Sequence, residues 1–494
     1  MTGNDSATIG PLEAPTTGQS RLPAVLTRLA WSLWVVSCAV LVAHVSTGET
    51  FRIDGLVAVD GLTVVMWVAA TFFSGLVHSY SRRYMAGSRV IDRFFTRVFA
   101  FTLFVMALVA ADSLLVFWAA WVAMGLAMAG LIGTARGWPQ ARAAASLARR
   151  YFLASSALLG VALATLWWTT GAATISGVAA AVGGQPPTLL LVAAGALVLA
   201  AMVQSALVPF HTWLLSSMTA PTPASALMHA GFVNAGGVLL VRFAPVVSRD
   251  PTVMLAIALV GAASALGGKL MKSVQPDVKG ALGCSTVGQM GFMIMQAGLG
   301  FFAAAITHLI LHGFYKAYQF LSSGERVAHQ RPASSGPSES LGLAGGVAVL
   351  ATALAAGGLF AVLTGEGTDL HSGLLLVGLV VLTVVHAARE AVTGADLPPA
   401  VRYGAVPAVA LPAITAYALV YRAIRGLLAG LPGVGEPVAL TPVHVLVAVA
   451  FLAAYIAVES GVYERSHRLY VALRNASQPP TETLLTTPED YNEY

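Results

Sequence analysis

The chain has 494 residues, of which 57% are hydrophobic and 10% are charged, and its mean hydropathy is +0.77. Soluble domains carry about 25% charged residues, so this composition excludes a soluble globular protein and predicts an all-α integral membrane protein. The formal net charge of +5 reflects how basic residues are distributed across the membrane and gives no indication of nucleic-acid binding.

Residues 1–20 are polar and rich in Gly, Pro and Thr, and we expect them to form a disordered cytoplasmic N-terminus. They lack the basic start and apolar core of a cleaved signal. The chain then contains about fourteen apolar segments, each near the roughly 20 residues that a helix needs to cross a bilayer. The predicted spans are 24–46, 56–78, 94–111, 113–133, 147–168, 188–218 (broken), 222–245, 252–271, 280–299, 301–321, 342–364, 371–391, 404–425 and 441–462.

These segments divide the chain into regions, and no soluble stretch is long enough to form a domain. The regions are 21–112 (N-terminal transmembrane helices), 113–325 (transporter core), 326–464 (C-terminal transmembrane helices) and 465–494 (cytoplasmic tail). The tail is polar and aromatic, and two interpretations stay open: a frayed end, or a docking peptide for a cytoplasmic partner.

Basic residues mark one side of the membrane. The loop at 82–97 holds five arginines and the loop at 136–150 holds four, and fourteen spans place both loops on the same side. Cytoplasmic loops are enriched in Lys and Arg. We therefore predict a multi-pass protein of the cell membrane with both termini in the cytoplasm.

Residues 207–237 interrupt two of the predicted spans with three prolines, two histidines and an asparagine. Pro209 has no backbone N–H to donate, so it is expected to break the helix that enters from residue 188. Freed backbone groups at membrane depth occur only where protein or a water-filled cavity satisfies them. The break therefore indicates an ion or substrate path.

Single polar residues inside the spans allow more than one interpretation. His229 follows the break and is a candidate relay residue, with a hydrogen-bonded structural role as the alternative. His211 is expected to satisfy backbone groups at the break, and Asn234 to hydrogen-bond across helices. Asp60 and His78 lie near opposite ends of the second span, where we expect them at the membrane interfaces.

The segment 268–293 contains the lysines Lys269 and Lys272 at the end of one span. Asp277 follows in the turn, where it is expected to cap the next helix. Two interpretations stay open for the lysines: they set the topology of the span, or one of them faces inward as a member of a proton relay.

His308, His312 and Lys316 are spaced four residues apart, so they lie on one stripe of a helix. Three titratable groups on one intramembrane face are costly to keep, and histidine exchanges protons near neutral pH. A lysine can join such a relay where burial makes its charged form less favourable. The stripe predicts a proton path. The alternative is that the histidines bond between helices and that Lys316 reaches the cytoplasmic interface.

No pattern predicts a cofactor in this chain. Cys38 and Cys284 lie in separate apolar spans, so neither a disulfide nor a metal-ligand spacing is predicted. The sequence lacks the GxxxxGK[ST] phosphate loop and the HExxH, CxxC and CxxCH patterns. Any pumping must therefore draw its energy from an ion gradient or from a partner.

Five segments between Val59 and Gly324 carry a recognisable pattern. They are VDGLTVVM (59–66), HSYSRRYM (78–85), PFHTWLLSSMTAPTPASALMHA (209–230), DVKGALGCSTVGQMGFM (277–293) and HLILHGFYKAYQFLSSG (308–324). In this order they resemble the proton-conducting membrane transporter family, which includes the antiporter-like subunits of respiratory complex I and of multisubunit sodium/proton antiporters. The resemblance implies an antiporter-like fold. It also implies that His308, His312 and Lys316 belong to the central polar axis, with His229 as the histidine after the PTP turn.

The sequence departs from this family at two positions. Val122, in WVAMG (121–125), stands where complex I pumping subunits carry a glutamate. Gln204 stands where they carry a lysine, five residues before the proline of the broken helix, and we expect it to be a neutral, water-organising position. Loss of the glutamate alone would leave an unpaired buried cation, whereas loss of both groups is coherent. The departure argues against a standard complex I or antiporter pump.

The variant MHAGFVNAGG (228–237), the chain length and the polar tail resemble the membrane subunits of DAB inorganic carbon transporters. That resemblance implies a partner, a DabA-like cytoplasmic zinc protein similar to a β-carbonic anhydrase. It implies that this chain carries protons, or sodium ions, down their gradient to drive CO2 hydration in the partner. Zinc and catalysis would belong to the partner, and this chain would not itself be an enzyme. Two alternatives stay open: a sodium/proton antiporter or complex I-like subunit, and a non-conducting membrane anchor.

Overall fold

A computed structural model describes residues 20–324, 342–367, 372–394, 399–435, 438–461 and 465–483. The expected disorder of the N-terminus concerns residues that, apart from Ser20, lie outside this range, as does the end of the tail at 484–494. Most of the described chain is helical. The helices are α1 (Leu22–Thr47), α2 (Gly61–Tyr84), α3 (Ile91–Ala110), α4 (Leu114–Ile132), α5 (Pro139–Thr170), α6 (Ile175–Ala181), α7 (Pro187–Gln204), α8 (Thr212–Ser216), α9 (Thr222–Ala230), α10 (Ala235–Arg242), α11 (Ala244–Val247), α12 (Pro251–Ser273), α13 (Val278–Gly298), α14 (Phe302–Leu321), α15 (Leu343–Thr364), α16 (Gly373–Gly394), α17 (Pro399–Leu428), α18 (Pro442–Glu459) and α19 (His467–Ala476).

Each predicted span overlaps at least one of these helices, but the number of fourteen membrane spans is not confirmed. Within the described residues, ten helical segments are long and apolar enough to cross a membrane, and α9 with α10 counts as one of them. Helix α14 is not among the ten, because its two histidines and its lysine lower its hydropathy. The structure therefore shows a multi-pass membrane protein and leaves the span number open.

Glycines bring α12 and α13 into direct backbone contact. A Cβ atom at Gly268 would lie 2.2 Å from the backbone nitrogen of Gly288, and one at Gly291 would lie 2.4 Å from that of Ala265. Small residues allow helices in membranes to approach this closely. The contact fixes Lys269, the neighbour of Gly268, against α13.

The turn between these helices contains the predicted cap. The Asp277 carboxylate accepts a hydrogen bond from the backbone nitrogen of Gly280 at 2.7 Å. The side chain therefore occupies one of the donors that a helix start leaves unpaired, and the predicted cap of α13 is confirmed.

A buried ion pair joins α2 to α10 on the side opposite the arginine-rich loops. Asp60 caps α2 by accepting from the Thr63 nitrogen at 3.0 Å, and the Arg242 guanidinium binds the Asp60 carboxylate. Arg242 also donates to the Val109 carbonyl at 2.6 Å. The two charged side chains are only 7% and 15% exposed. The expectation of an interfacial Asp60 is wrong, because α10 delivers Arg242 to it from 182 residues away.

A short antiparallel hairpin, β1 (Phe51–Ile53) and β2 (Val57–Val59), precedes Asp60. At the other end of α2, His78 is 1% exposed and bonds to the Ser74 carbonyl at 2.8 Å. The prediction of an interfacial His78 is therefore also wrong, because α2 continues for six residues beyond it, to Tyr84.

Residues 466–483, here called the C-terminal strap, lie across the ends of α5, α8 and α12 on the side of the arginine-rich loops. Arg474 donates to the Gln275 side chain at 3.2 Å, and Thr483 donates to the Ser216 hydroxyl at 3.3 Å. The expectation of a frayed tail is wrong for these residues, because polar contacts hold them on the protein. Docking of a partner to the tail stays a prediction.

We expect Arg242→Met to destabilise the protein by about 3–5 kcal/mol, because it leaves the Asp60 carboxylate buried and unpaired. Adding Asp60→Asn should recover part of this loss, since asparagine caps a helix as well as aspartate does. Chemical unfolding of the detergent-purified chain gives the free energies. Arg52→Met, which removes an exposed arginine on the same side, is the control. An equal loss in the single and double variants would show that the unpaired charge is not the cause.

Candidate functional site

The first helix break begins at Gln204, five residues before Pro209. Helix α7 ends there, and the following Ala206 has a left-handed backbone with φ of 53°. The Val203 carbonyl, which the break releases from the helix, accepts a hydrogen bond from the Trp213 indole nitrogen at 2.9 Å. The Val208 nitrogen donates to the Ser264 hydroxyl of α12 at 3.2 Å. The predicted break is confirmed, and protein side chains satisfy the backbone groups that it frees.

A second break separates α9 from α10. A 3-10 turn at Phe232–Asn234 lies between them, and the Asn234 side-chain nitrogen donates to the Ala230 carbonyl at 2.8 Å. The prediction that Asn234 bonds across helices is wrong, because the carbonyl freed at the end of α9 lies nearer. Most residues of the two breaks are buried, but Val208, Phe210 and Gly231 are partly exposed and Pro209 is exposed.

His229 and Lys316 meet through two groups of α13. The His229 Nδ1 atom lies 2.9 Å from the Thr286 hydroxyl, which donates to the Leu282 carbonyl at 2.9 Å. The Lys316 ammonium donates to that same carbonyl at 3.0 Å. Since the single hydroxyl proton of Thr286 is used on Leu282, the His229 ring donates from Nδ1, and its Nε2 is left as a proton acceptor.

His308 and His312 extend this network along α14. Their rings stack with centroids 5.8 Å apart, and the Phe292 ring of α13 covers His308 at 5.4 Å. Lys316 is fully buried and His312 is 5% exposed. The predicted stripe therefore faces the protein interior, and the alternative in which Lys316 reaches the interface is wrong.

The stripe opens into a cavity of about 520 Å³ between α12, α13, α14, α16, α17 and α18. Both Lys269 and Lys272 line it together with His308 and His386. The Lys269 ammonium lies 3.0 Å from the His386 Nε2 atom. The structure therefore favours the interpretation in which these lysines face inward, toward the stripe. The sequence does not predict this contact of His386, because no local spacing links α16 to α12.

Two tyrosines, the partly buried Tyr417 and the buried Tyr421, lead from this cavity toward the opposite side of the membrane. Tyr417 lines the cavity and contacts the Gln296 side chain through its hydroxyl. One turn further along α17, the Tyr421 hydroxyl donates to the Glu366 carboxylate at 2.7 Å. Glu366 also accepts from Arg425 at 3.1 Å, and a smaller cavity of about 200 Å³ adjoins all three. Sequence reasoning missed these residues, because tyrosines in an apolar helix give no periodic signal.

Buried polar atoms without a hydrogen-bond partner concentrate around the breaks and the stripe. Among the described residues they include Gln204 Oε1 and Nε2, Ser205 Oγ, His211 Nδ1, His229 Nε2, Asn234 Oδ1, Gln296 Oε1, His308 Nε2 and His312 Nε2. Buried polar groups are usually satisfied by protein or ordered water. Their grouping indicates a hydrated region, which agrees with the water-organising role predicted for Gln204.

His211 does not satisfy the break as predicted. Its Nε2 atom lies 2.9 Å from the Ala476 carbonyl of the C-terminal strap. The prediction placed its partner within the break, whereas the partner is 265 residues further along the chain. The structure thus links His229 and Lys316 through Thr286 and the Leu282 carbonyl, and it stacks the His308 and His312 rings further along the same helix.

Within the described residues, no three His, Cys, Asp or Glu side chains form a group that could hold a metal ion. That this chain binds no cofactor stays a prediction.

The comparisons with known proteins agree with this architecture. The family described as "NADH:quinone oxidoreductase/Mrp antiporter, TM" matches residues 111–383, more than half of the chain. The chain belongs to this family. A second family description, "NADH-Ubiquinone oxidoreductase (complex I), chain 5 N-terminus", matches residues 45–95. The matched region of the antiporter family contains both helix breaks and the whole stripe.

Relatives of this chain have names of two kinds, those of inorganic carbon transporter subunits and those of NADH-quinone oxidoreductase subunits. "Probable inorganic carbon transporter subunit DabB1" of Halothiobacillus neapolitanus is 36% identical over 310 residues, which cover 60% of this chain and 55% of the relative. "Probable inorganic carbon transporter subunit DabB" of Bacillus anthracis is 34% identical over 334 residues, 65% of this chain and 64% of the relative. "NADH-quinone oxidoreductase subunit L" of Mycobacterium tuberculosis is 33% identical over 279 residues, 55% of this chain and 44% of the relative. The chain spans about half the length of the first of these relatives.

Solved structures show the same fold. A chain of the Mrp complex from Dietzia sp. matches with a TM-score of 0.56 and 24% identity over 92% of this chain and 49% of that chain. A chain of the archaeal membrane-bound sulfane sulfur reductase matches with a TM-score of 0.61 and 16% identity over 94% of both chains. The family's antiporter-like helical fold is therefore shown for this protein.

We expect Trp213→Phe to destabilise the protein by about 1–3 kcal/mol, because the buried Val203 carbonyl loses its shorter hydrogen bond and keeps only the 3.3 Å bond from the Ala206 nitrogen. Phenylalanine keeps an aromatic ring against Phe152, which lies 4.7 Å from the Trp213 ring. Trp168→Phe is the matched control, since Trp168 is 77% exposed, and it should change stability by less than about 0.5 kcal/mol. Unfolding in detergent, followed by circular dichroism, gives both values. Equal values would mean that the indole bond does not stabilise the break.

Proposed function

We propose that this chain is the proton-conducting membrane subunit of an energy-coupled inorganic carbon pump. The observation that carries the proposal is the stripe His308, His312 and Lys316, which faces the protein interior and reaches, at His308, a largely apolar cavity that Lys269 and Lys272 also line. A conducting path needs groups that accept and release protons at intervals across the membrane. The stripe supplies them at single-turn spacing along α14.

The order of these groups along the helices supports a path from one side to the other. Lys316 lies near the inner end of α14, and His308 lies two turns further toward the outer end. The cavity then links His308 to Tyr417, and α17 continues outward to Tyr421 and Glu366. A proton moving down its gradient into the cell would enter at Glu366, cross the cavity, pass along the two histidines and leave near Lys316.

The charges in the cavity favour protons over sodium as the coupling ion. Sodium would need several oxygen ligands, and a carboxylate to balance its charge. The cavity lining, as the structure describes it, contains no carboxylate and contains the two lysines Lys269 and Lys272. The positive charge of Lys272 disfavours a metal ion here, while the histidines bind a proton on a nitrogen lone pair.

Val122 and Gln204 distinguish this chain from a standard complex I pump, which carries a glutamate and a lysine at these positions. Gln204 is fully buried and has two unpartnered amide atoms, which suits it to hold water without titrating. His229 and the three residues of the stripe are then the groups that bind protons. The pump would differ from its relatives in complex I by lacking an acid–base pair at the first break.

The proposed carbon chemistry rests on the relatives with inorganic carbon transporter names. In this proposal the chain lies in the cell membrane with both termini in the cytoplasm, and proton flow drives CO2 hydration in a cytoplasmic, zinc-containing, carbonic-anhydrase-like partner. The zinc and the catalysis belong to that partner, and this chain binds no cofactor. The C-terminal strap, which lies on the inner face, gives such a partner a polar surface to contact.

A second candidate is a subunit of a sodium/proton antiporter or of a complex I-like enzyme. The family match and the fold of the Mrp complex favour it. The absence of an acid–base pair at Val122 and Gln204, and of carboxylates among the described cavity residues, argues against it. Sodium-dependent proton flux would support this candidate over the first.

We expect His312→Ala with Lys316→Ala to lower proton flux about a hundredfold, the lower end of what a positioned proton-transfer group contributes. The complex is purified through this chain and reconstituted in vesicles, and a pH-sensitive dye inside reports the flux. Glu366→Gln should also lower the flux, at the outer end of the path. The control is Phe314→Ala with Tyr318→Ala, because these residues lie on the exposed face of the same helix. Unchanged flux in the His312 and Lys316 variant would refute the relay, and no flux in the native complex would favour a membrane anchor.

We expect the chain, isolated from its native membrane by a tag, to retain a large cytoplasmic protein that contains about one zinc ion per copy. Mass spectrometry identifies the partner, and elemental analysis of the complex measures the zinc. The complex is released from the resin by cleaving the tag, so that proteins bound nonspecifically to the resin stay behind. Recovery of quinone-reducing or antiporter subunits in place of the zinc protein would contradict the carbon pump and support the second candidate.

A further inference from the structure

An arginine-lined groove lies at the inner ends of α3, α4 and α5, far from the proposed proton path. Its volume is about 630 Å³. The described residues that line it are Arg97, Leu126, Ala129, Gly130, Gly133, Arg136, Arg142, Ala145, Ser146 and Arg149. Four of these ten side chains are cationic, and none is acidic.

Arg97 forms the floor of this groove. Its guanidinium donates to the Gly130 carbonyl at 2.5 Å, and a Cβ atom at position 130 would lie 3.3 Å from the guanidinium carbon. Glycine therefore lets the arginine lie flat against α4. At the next turn, a Cβ atom at Gly133 would lie 2.8 Å from the Ala145 Cβ atom, so a second glycine lets α5 close the groove.

The other three arginines surround the opening. Arg142, Ser146 and Arg149 are four and three residues apart, which places them on one face of α5. Arg136 extends from the loop between α4 and α5 and lies close enough to Arg97 to repel it. The side chains of Arg136, Arg142 and Arg149 make no hydrogen bond or ion pair with any described residue.

Topology alone does not account for this arrangement. The positive-inside tendency places arginines on the cytoplasmic side, but it gives no reason for four of them to converge without a carboxylate. Like charges held together are destabilising unless an anion neutralises them. The groove therefore fits a ligand that carries concentrated negative charge.

We propose that the groove binds the phosphate of an anionic phospholipid. Arginine forms paired hydrogen bonds with phosphate oxygens, and basic pockets between helices on the cytoplasmic side bind anionic headgroups. Ser146 adds a hydroxyl donor. The ligand enters the groove from the inner leaflet, and its phosphate offsets part of the charge of the four guanidinium groups.

Helix α4 provides a surface for the acyl chains. Its exposed residues Leu115, Trp118 and Leu126 follow the spacing of one helix face, and Leu126 lines the groove itself. Ala129, Gly130 and Gly133 continue the same face into the groove. A headgroup among the arginines therefore leaves its chains on an apolar stripe, which a soluble anion or an acidic protein segment would not use.

The test measures phosphatidylglycerol binding to the detergent-purified full-length chain by native mass spectrometry. We expect one site that prefers phosphatidylglycerol to phosphatidylcholine with the same chains. Arg136→Gln with Arg142→Gln should weaken it about thirtyfold, because each basic residue near an anionic surface contributes a factor of roughly five. Arg136→Lys with Arg142→Lys, which keeps the charge but loses the paired bonds, should weaken it less.

The matched control is Arg82→Gln with Arg83→Gln, which removes the same charge from two exposed arginines on the same side. An equal loss of lipid in both glutamine pairs would overturn the proposal, because general surface charge would then explain binding. Inorganic phosphate that displaces the lipid at matched concentration would overturn the lipid as ligand and indicate a soluble anion. Unchanged lipid binding together with loss of a co-purified cytoplasmic protein would overturn it in favour of a protein contact. Unfolding midpoints confirm that each variant is folded.

Discussion

The buried ammonium of Lys316 is the group on which the candidate site depends. It has one hydrogen bond, to the Leu282 carbonyl, and no carboxylate partner in the described chain. Burying a cation without a counter-charge is strongly unfavourable. The same nitrogen as an uncharged amine needs no counter-ion. A position that is costly in one protonation state and acceptable in the other is suited to passing a proton on.

The surrounding structure is arranged around this nitrogen. The Leu282 carbonyl accepts from both Lys316 and Thr286, and Thr286 connects it to His229 on α9. Close packing holds the helices at this distance: a Cβ atom at Gly313 would lie 2.9 Å from the Ala230 carbonyl. Arg242 shows the opposite solution to a buried charge, since Asp60 neutralises it directly. One site favours proton exchange and the other favours a fixed structure.

Local spacing allowed the sequence to predict those features that lie within one helix or one turn. The stripe on α14, the cap at Asp277 and the break near Pro209 each depend on residues a few positions apart. Partners far apart in sequence were not predictable in this way. The pairing of Lys269 with His386, and of Arg242 with Asp60, depends on which helices become neighbours. The partner of His211 was predicted wrongly for the same reason. Asn234 is the opposite case, because its partner is the Ala230 carbonyl four residues earlier, which the second break frees.

The C-terminal strap has a consequence for the biosynthesis of this protein. His211 at the first helix break receives its partner, the Ala476 carbonyl, from 265 residues further along the chain. A ribosome must therefore synthesise the whole intervening chain before His211 can make this contact. Until then the His211 side of the break lacks its cover, so this part of the break is among the last regions of the protein to reach its final structure.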